Sequence, residues 1–291
     1  MPKFERRETP YSIMKRILIV VVAFVCVMFS CQGDKTENAV SNNDSDSVVA
    51  DTVATDTIEQ LVEETPMPKA ADELFDDFFF NFAANGKLQK RRILFPLKER
   101  DGEEVVMINK KDWKTEHFFM KQGFYTLLFD NRKQMELVKD TTINHVVVEK
   151  IFLNNHRVTQ YIFDRIKGLW IMKEIVKKAM SETNNASFLD FYRHFSTDTL
   201  FQINSLDNPV HFVGPDPDDD FATMEGLITA ETWPAFAPEL PSDVIYNIIY
   251  GQKYTESDHK IFVLRGIANG FEIELTFVRK NNKWLLEKMV N

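Results

Sequence analysis

The chain has 291 residues, 44% hydrophobic and 27% charged, with 35 Lys+Arg against 44 Asp+Glu and a formal net charge of −9. The length allows two domains of ordinary size, and the acidic balance excludes a nucleic-acid groove, which needs a basic face. With two cysteines, one of them inside an N-terminal apolar run, no disulfide framework is written here.

Lys15 and Arg16 precede "ILIVVVAFVCVMFS" (residues 17–30), and Cys31 follows. Fourteen residues at about 1.5 Å each reach roughly 21 Å, short of a hydrocarbon core of about 30 Å. A basic start, a short apolar run and a small residue before the cut predict a secretory signal over residues 1–30. An uncleaved membrane anchor is the alternative. Ser30-Cys31 resembles the end of a lipobox, which makes Cys31 the lipidated first residue of the mature chain. Met14, followed by "KRIL", is a second candidate start. Residues 1–30 hold five Lys/Arg and two Asp/Glu, so their loss takes the formal charge to −12. Lipid on Cys31, not charge, would then hold the protein to a membrane.

Residues 31–70 are dominated by Ser, Thr, Asn, Asp and Glu, and no aromatic residue occurs among them. So little apolar surface cannot offset chain entropy, which predicts an acidic disordered tether spanning roughly 35 Å. Its acidity just after Cys31 resembles the surface-export signals of Bacteroidetes-type lipoproteins; a plain solvated spacer is the simpler reading.

The globular part begins near Asp72. Phe75, Phe78, Phe79 and Phe82 recur at i, i+3, i+4, i+7, one face of an amphipathic helix. Asn85-Gly86 reads as its C-cap, and "LQKRRILFPL" as a short second helix ended by Pro96. The pattern then repeats. At an offset of 113, Phe75, Asp77, Phe78, Phe82, Gln89 and Pro96 meet Phe188, Asp190, Phe191, Phe195, Gln202 and Pro209. "MINKKDW" (107–113) meets "LITAETW" (227–233) at an offset of 120, the seven extra residues falling in the loop "VGPDPDDDF". "FDRIKGLWIMKEIV" (163–176) meets "FVRKNNKWLLEKMV" (277–290) at an offset of 114. Four segments in the same order predict a duplication, with one domain over 71–181 and a second over 182–291.

The last of these segments reads as a hairpin, turned by Lys167-Gly168 in one copy and Asn281-Asn282 in the other. A third arm precedes it, at residues 145–155 and 260–270. Each half is thus helix, short helix, strand, short helix around Trp113 or Trp233, then an antiparallel meander: an α+β order. That order, with an aromatic first helix and a closing strand opening on Trp, resembles the nuclear transport factor 2-like cone fold. Two such domains behind a lipoprotein signal resemble a Bacteroidetes-type lipoprotein family known as a domain of unknown function. The resemblance covers residues 72–291 and implies two tandem cone-like domains, each with helices packed on a curved antiparallel sheet. Its motifs are packing motifs, and no catalytic motif of that superfamily matches any position.

Candidate site residues are few. Arg165 and Arg279 occupy the same place beside each hairpin turn and suit either a bond to loop carbonyls or an anionic ligand. Asp216, Asp218 and Asp220 alternate in the extra loop, a spacing that suits calcium, although the EF-hand pattern fails at Phe221 and Leu227. Asp190 and His194 stand four apart on a helix and read as a surface pair rather than a dyad. The six histidines lack zinc spacing, and no Walker, G-x-G-x-x-G or G-x-S-x-G motif occurs.

The expectation is a lipid-anchored protein of a bacterial cell envelope, at the outer membrane, acting as a non-enzymatic binding or scaffold module without a cofactor. Its partners would be the membrane through Cys31 and an envelope protein or small molecule, and not nucleic acid. The alternative is a small-molecule carrier or enzyme using the cavity of one cone, the second before the first.

Overall fold

The computed structural model describes residues 72–216, 218–252 and 257–291. The signal segment, the tether and Cys31 lie outside the described residues. No helix among the described residues is long and apolar enough to cross a membrane.

The first repeat opens with α1 (Phe75–Ala84) and α2 (Gly86–Arg92). The predicted aromatic face of α1 is buried: Phe75, Phe78, Phe79 and Phe82 all point inward. The second repeat opens in the same way with α3 (Ala186–Phe195) and α4 (Thr199–Asn204), burying Phe188, Phe191, Tyr192 and Phe195. Asn85 caps the end of α1 as expected, though with extended rather than left-handed backbone, and its side chain also accepts the Leu88 N–H at 2.8 Å, so it starts α2 as well. Gly86 is required by space, since a Cβ there would lie 2.5 Å from Thr115 Oγ1.

Strands follow in each repeat. The first holds β1 (Ile93–Asp101), β2 (Glu104–Ile108), β3 (Phe124–Phe129), β4 (His145–Phe152), β5 (Arg157–Ile166) and β6 (Leu169–Ala179). The second holds β7 (Leu206–Asp216), β8 (Asp219–Ile228), β9 (Val244–Ile249), β10 (His259–Gly266), β11 (Glu272–Lys280) and β12 (Lys283–Val290). Pro96 therefore does not end a helix. α2 stops at Arg92, and Pro96 sits inside β1; the Phe95-Pro96 and Asn208-Pro209 peptide bonds are both cis. The extra residues of the second repeat are not a loop either. They lengthen the β7–β8 hairpin on both arms, and Asp216 pairs with Asp219 at its tip. The expected helical turn is present at Trp233–Phe236, where Pro234 can occupy the first turn. Trp113 lies outside any helix, and the first repeat forms its 3-10 turn at Phe118–Lys121 instead.

The closing hairpins match expectation. Lys167 and Gly168, like Asn281 and Asn282, take positive φ, the backbone a tight two-residue turn requires. Behind each turn one phenylalanine gathers the helix rings. Phe163 lies 5.4, 6.1, 5.7 and 5.4 Å from the rings of Phe75, Phe78, Phe79 and Phe82. Phe277 lies 5.3, 5.5 and 5.2 Å from Phe188, Phe191 and Phe195. Mostly edge-to-face contacts of this kind add about 0.5–1.5 kcal/mol each beyond their burial. Gln89 accepts from the Trp113 indole at 3.0 Å and donates to Phe82 O at 2.9 Å; Gln202 does the same for Trp233 (3.0 Å) and Phe195 O (2.7 Å).

The sheets do not respect the repeat boundary at 181/182. The first sheet runs β2-β1-β6-β5-β4-β9 and the second β3-β10-β11-β12-β7-β8; because β1 pairs with β6 and β7 with β12 in parallel, both sheets are mixed and not antiparallel as expected. Each repeat gives its middle strand to the other. β9 pairs antiparallel with β4, from Val147↔Ile249 to Phe152↔Val244, and β3 pairs antiparallel with β10, from Ile261↔Phe129 to Gly266↔Phe124. Two aromatic cores form, and both draw on the exchanged strands: Tyr246 and Ile248 join the first, Leu128 the second.

Candidate functional site

The space beneath the helices of each repeat is filled rather than hollow. Phe78, Phe79, Phe82, Phe163 and Trp170 occupy the first, and Phe188, Phe195, Phe277 and Trp284 the second, each at most 6% exposed. Beyond this plug, the two repeats have diverged. In the first repeat, Glu116 accepts from the Tyr161 hydroxyl (3.2 Å), the Lys150 ammonium (3.3 Å) and the Phe118 N–H (3.1 Å). Burial pushes the Tyr161 hydroxyl far above its usual range, and the Glu116 carboxylate adds to the shift. By the offset of 114, Lys150 and Tyr161 correspond to Leu264 and Leu275. The equivalent strands of the second repeat thus carry apolar side chains at these two places, and the polar groups are not a packing requirement. Comparing offsets along the chain would have found this divergence from sequence; searching for motifs did not.

A cleft of about 760 Å³ lies where β3 and β9 begin. The two strands run side by side, held by Gln122 Nε2 on Val244 O (3.1 Å), Tyr246 N–H on Thr126 Oγ1 (2.9 Å) and Leu128 N–H on Asn247 Oδ1 (2.9 Å). One wall carries Gln122, Gly123 and Phe124, and the facing wall their repeat equivalents Ser242, Asp243 and Val244. Leu240 and Pro241 extend the second wall, and Leu264 and Gly266 of β10 with Phe271 of the β10–β11 turn close the side. The cleft therefore lies where the two repeats meet, beside the second core, to which Leu240 and Leu264 belong.

Its walls are held in place. The segment 239–243 is fixed by the Tyr192 hydroxyl on Pro241 O (3.0 Å), Leu153 N–H on Asp243 O (2.9 Å) and Asn154 Nδ2 on Asp243 Oδ1 (3.1 Å). The Tyr192 hydroxyl is fully buried, and that burial holds its pKa well above the ordinary value. At the β10–β11 turn, Ile267 N–H reaches Gly123 O at 3.1 Å, and a Cβ on Gly266 would overlap Asn269 Oδ1 at 1.8 Å. Volume, apolar walls, a few polar groups and a position between two units are the attributes of a ligand site, for which about 300–1,000 Å³ is usual.

The residues singled out from sequence lie elsewhere. Arg165 is on β5 and Arg279 on β11, in different sheets, and the fold does not bring them together. Arg165 Nη1 donates to Thr141 O at 2.7 Å, and its guanidinium stands 6.0 Å from the Trp170 ring. Arg279 Nη2 lies 3.4 Å from Asn282 Oδ1 across the turn. The two backbones repeat one bond: Arg165 N–H to Asn144 O (2.8 Å) and Arg279 N–H to Asp258 O (2.7 Å). Asp216 and Asp218 sit at the β7–β8 tip, where Asp216 Oδ1 accepts the Asp218 N–H at 2.9 Å, and Asp220 follows on β8. Among the described residues, no group of three or more His, Cys, Asp or Glu is placed to hold a metal ion. Asp190 and His194 do not bond each other; Arg193 Nη2 lies 3.3 Å from Asp190 Oδ1 and 2.8 Å from His194 Nε2.

No curated protein matches the chain at a significant level. Among solved structures, it is similar to an NTF2-like protein (BF2862) from Bacteroides fragilis NCTC 9343. The two share 44% identity and a TM-score of 0.71, over 77% of this chain and 98% of that one. A neighbour so named supports the cone-like α+β fold, and its coverage extends over both repeats. The model of the family described as Domain of unknown function (DUF4348) matches residues 54–291, and the chain belongs to that family.

Proposed function

We propose that the protein is a non-enzymatic binding module of a bacterial cell envelope. It is built by duplication from two cone-like units, held to the outer membrane through lipid on Cys31, and takes its ligand in the cleft between the repeats. One observation carries the reading: aromatic rings fill both cones, while the open, apolar-walled space lies at their junction. The pre-set walls reduce the ordering cost that binding must overcome.

Purification from envelope under non-denaturing conditions, followed by native mass spectrometry, should reveal a retained small molecule. The exchange Phe271→Arg puts charge on an exposed part of the wall and should abolish retention without unfolding the protein. Specific turnover of an envelope-derived substrate by the purified chain would contradict the non-enzymatic reading. The anchor is tested separately: Cys31→Ala should release the protein from membranes, and continued membrane retention would refute lipidation.

A further inference from the structure

β2 ends its sheet, with no strand on its outer side among the described residues. Val105, Val106 and Met107 stand 52%, 54% and 51% exposed. Side chains alternate between faces along a strand, so neither face of this edge is covered. An exposed apolar edge is a template for another strand, and proteins commonly blunt it with charge. The second repeat does so. β8 also ends its sheet, and at the offset of 120 Val105 and Val106 correspond to Glu225 and Gly226. The charge guards that edge, and the glycine weakens its pairing. β2 is unguarded at its centre and patterned at its ends. The segment through it reads "EEVVMINKK" (103–111), acidic, apolar, then basic, and Glu103, Glu104, Lys110 and Lys111 are all exposed.

We propose that β2 docks on β2 of a second copy of this chain, antiparallel, so that two sheets continue into one. Antiparallel pairing lays each acidic end against the other copy's basic end; parallel pairing would set like charges together. The backbone selects a register that suits the charges. Gly102-Glu103 is a two-residue turn, and Asp101 pairs with Glu104 across it. The turn's own hydrogen bond joins that pair, and alternation along the ladder then aims the N–H and C=O of Val105 and Met107 outward. A twofold axis at Met107 pairs outward groups with outward groups. It sets Glu104 opposite the second copy's Lys110 and Glu103 opposite its Lys111. At the corresponding places β8 is followed by Ala230 and Glu231, so its ends offer no such complement. A twofold contact uses up both edges, so association stops at two copies.

The test is sedimentation velocity of the purified whole chain and of two charge variants, Glu103→Lys/Glu104→Lys and Lys110→Glu/Lys111→Glu. All four side chains are exposed, so folding is not at stake. β2 has five residues, and with so small an interface the unaltered chain should be mostly monomeric at about 1 µM and dimeric at about 100 µM. Each variant alone sets like charges at both ends and should associate at least about tenfold more weakly. An equimolar mixture of the two variants restores opposite charges and should dimerise as the unaltered chain does. An unaltered chain that stays monomeric throughout overturns the proposal. So does a dimer that both variants retain, which puts the contact elsewhere, and so does a loss that mixing fails to reverse.

Discussion

Thr126 and Tyr246 occupy the same position in the two repeats, and they meet. The Thr126 hydroxyl accepts the Tyr246 N–H at 2.9 Å and donates to Tyr246 O. One buried side chain thereby satisfies both backbone groups of the opposite strand, at a place where two sheet edges abut without a ladder. Thr126→Val keeps the shape and β preference but strands a buried N–H and C=O. The expected loss is about 2–3 kcal/mol, read from the urea midpoint. Thr126→Ser, which keeps the hydroxyl, should recover more than half of it. Equal losses in both variants would show that the methyl group matters as much as the hydroxyl and would overturn this account.

Phe163 and Phe277 hold equivalent aromatic clusters, so truncating either should be costly and similarly so. Phe163→Ala and Phe277→Ala are each expected to destabilise by about 3–5 kcal/mol. Chemical denaturation followed by tryptophan fluorescence checks this. A loss under 1 kcal/mol at either site would mean that the ring is not the hub of its core.

Asp76 sets a pH dependence. Burial pushes its carboxyl up to about 6 from an ordinary 3.8, against the hydrogen bond from the Tyr250 hydroxyl (2.6 Å) and the charge of Arg265. A folded-state value above the unfolded one means stability is fully present below about 3.8 and is lost as pH rises through about 6. Asp76→Asn keeps an acceptor for Tyr250 and cannot ionise. It should therefore be more stable than the unaltered chain by about 2 kcal/mol at pH 7.5, with the difference gone near pH 3.5. Midpoints of urea unfolding at the two pH values decide it; a pH-independent difference would sink the argument.

A buried ion pair also ties the repeats together. Lys260 on β10 pairs with Asp130 at the end of β3 and donates to Asn185 Oδ1 at 2.7 Å, with Lys260 and Asp130 side chains 3% and 5% exposed. Burial lowers the Lys260 pKa while Asp130 works against that shift. Lys260→Met alone leaves a buried carboxylate and should cost about 3–5 kcal/mol, whereas Lys260→Met with Asp130→Leu should regain most of that. Additive losses in a double-mutant cycle would show that the two residues do not interact.

The sequence by itself determined whatever is local. The i, i+3, i+4, i+7 spacing of Phe75 to Phe82 fixes which helix face is buried, because one period suits only one face. Lys167-Gly168 and Asn281-Asn282 fix the hairpin turns, because few residues accept positive φ. Recurrence at offsets of 113, 120 and 114 fixes which segments of the two halves are alike. "FYTLLF" and "VIYNII" could not be read in this way. An apolar run buried on both faces carries no period that distinguishes strand from helix, and nothing in it names a partner. Only the tertiary structure decided that each run crosses to the other repeat. Pairing is a non-local choice among sheet edges, settled here by contacts such as Thr126 with Tyr246 and Lys260 with Asp130. The cleft follows from that exchange, since its two walls are the starts of the exchanged strands, 120 residues apart in sequence.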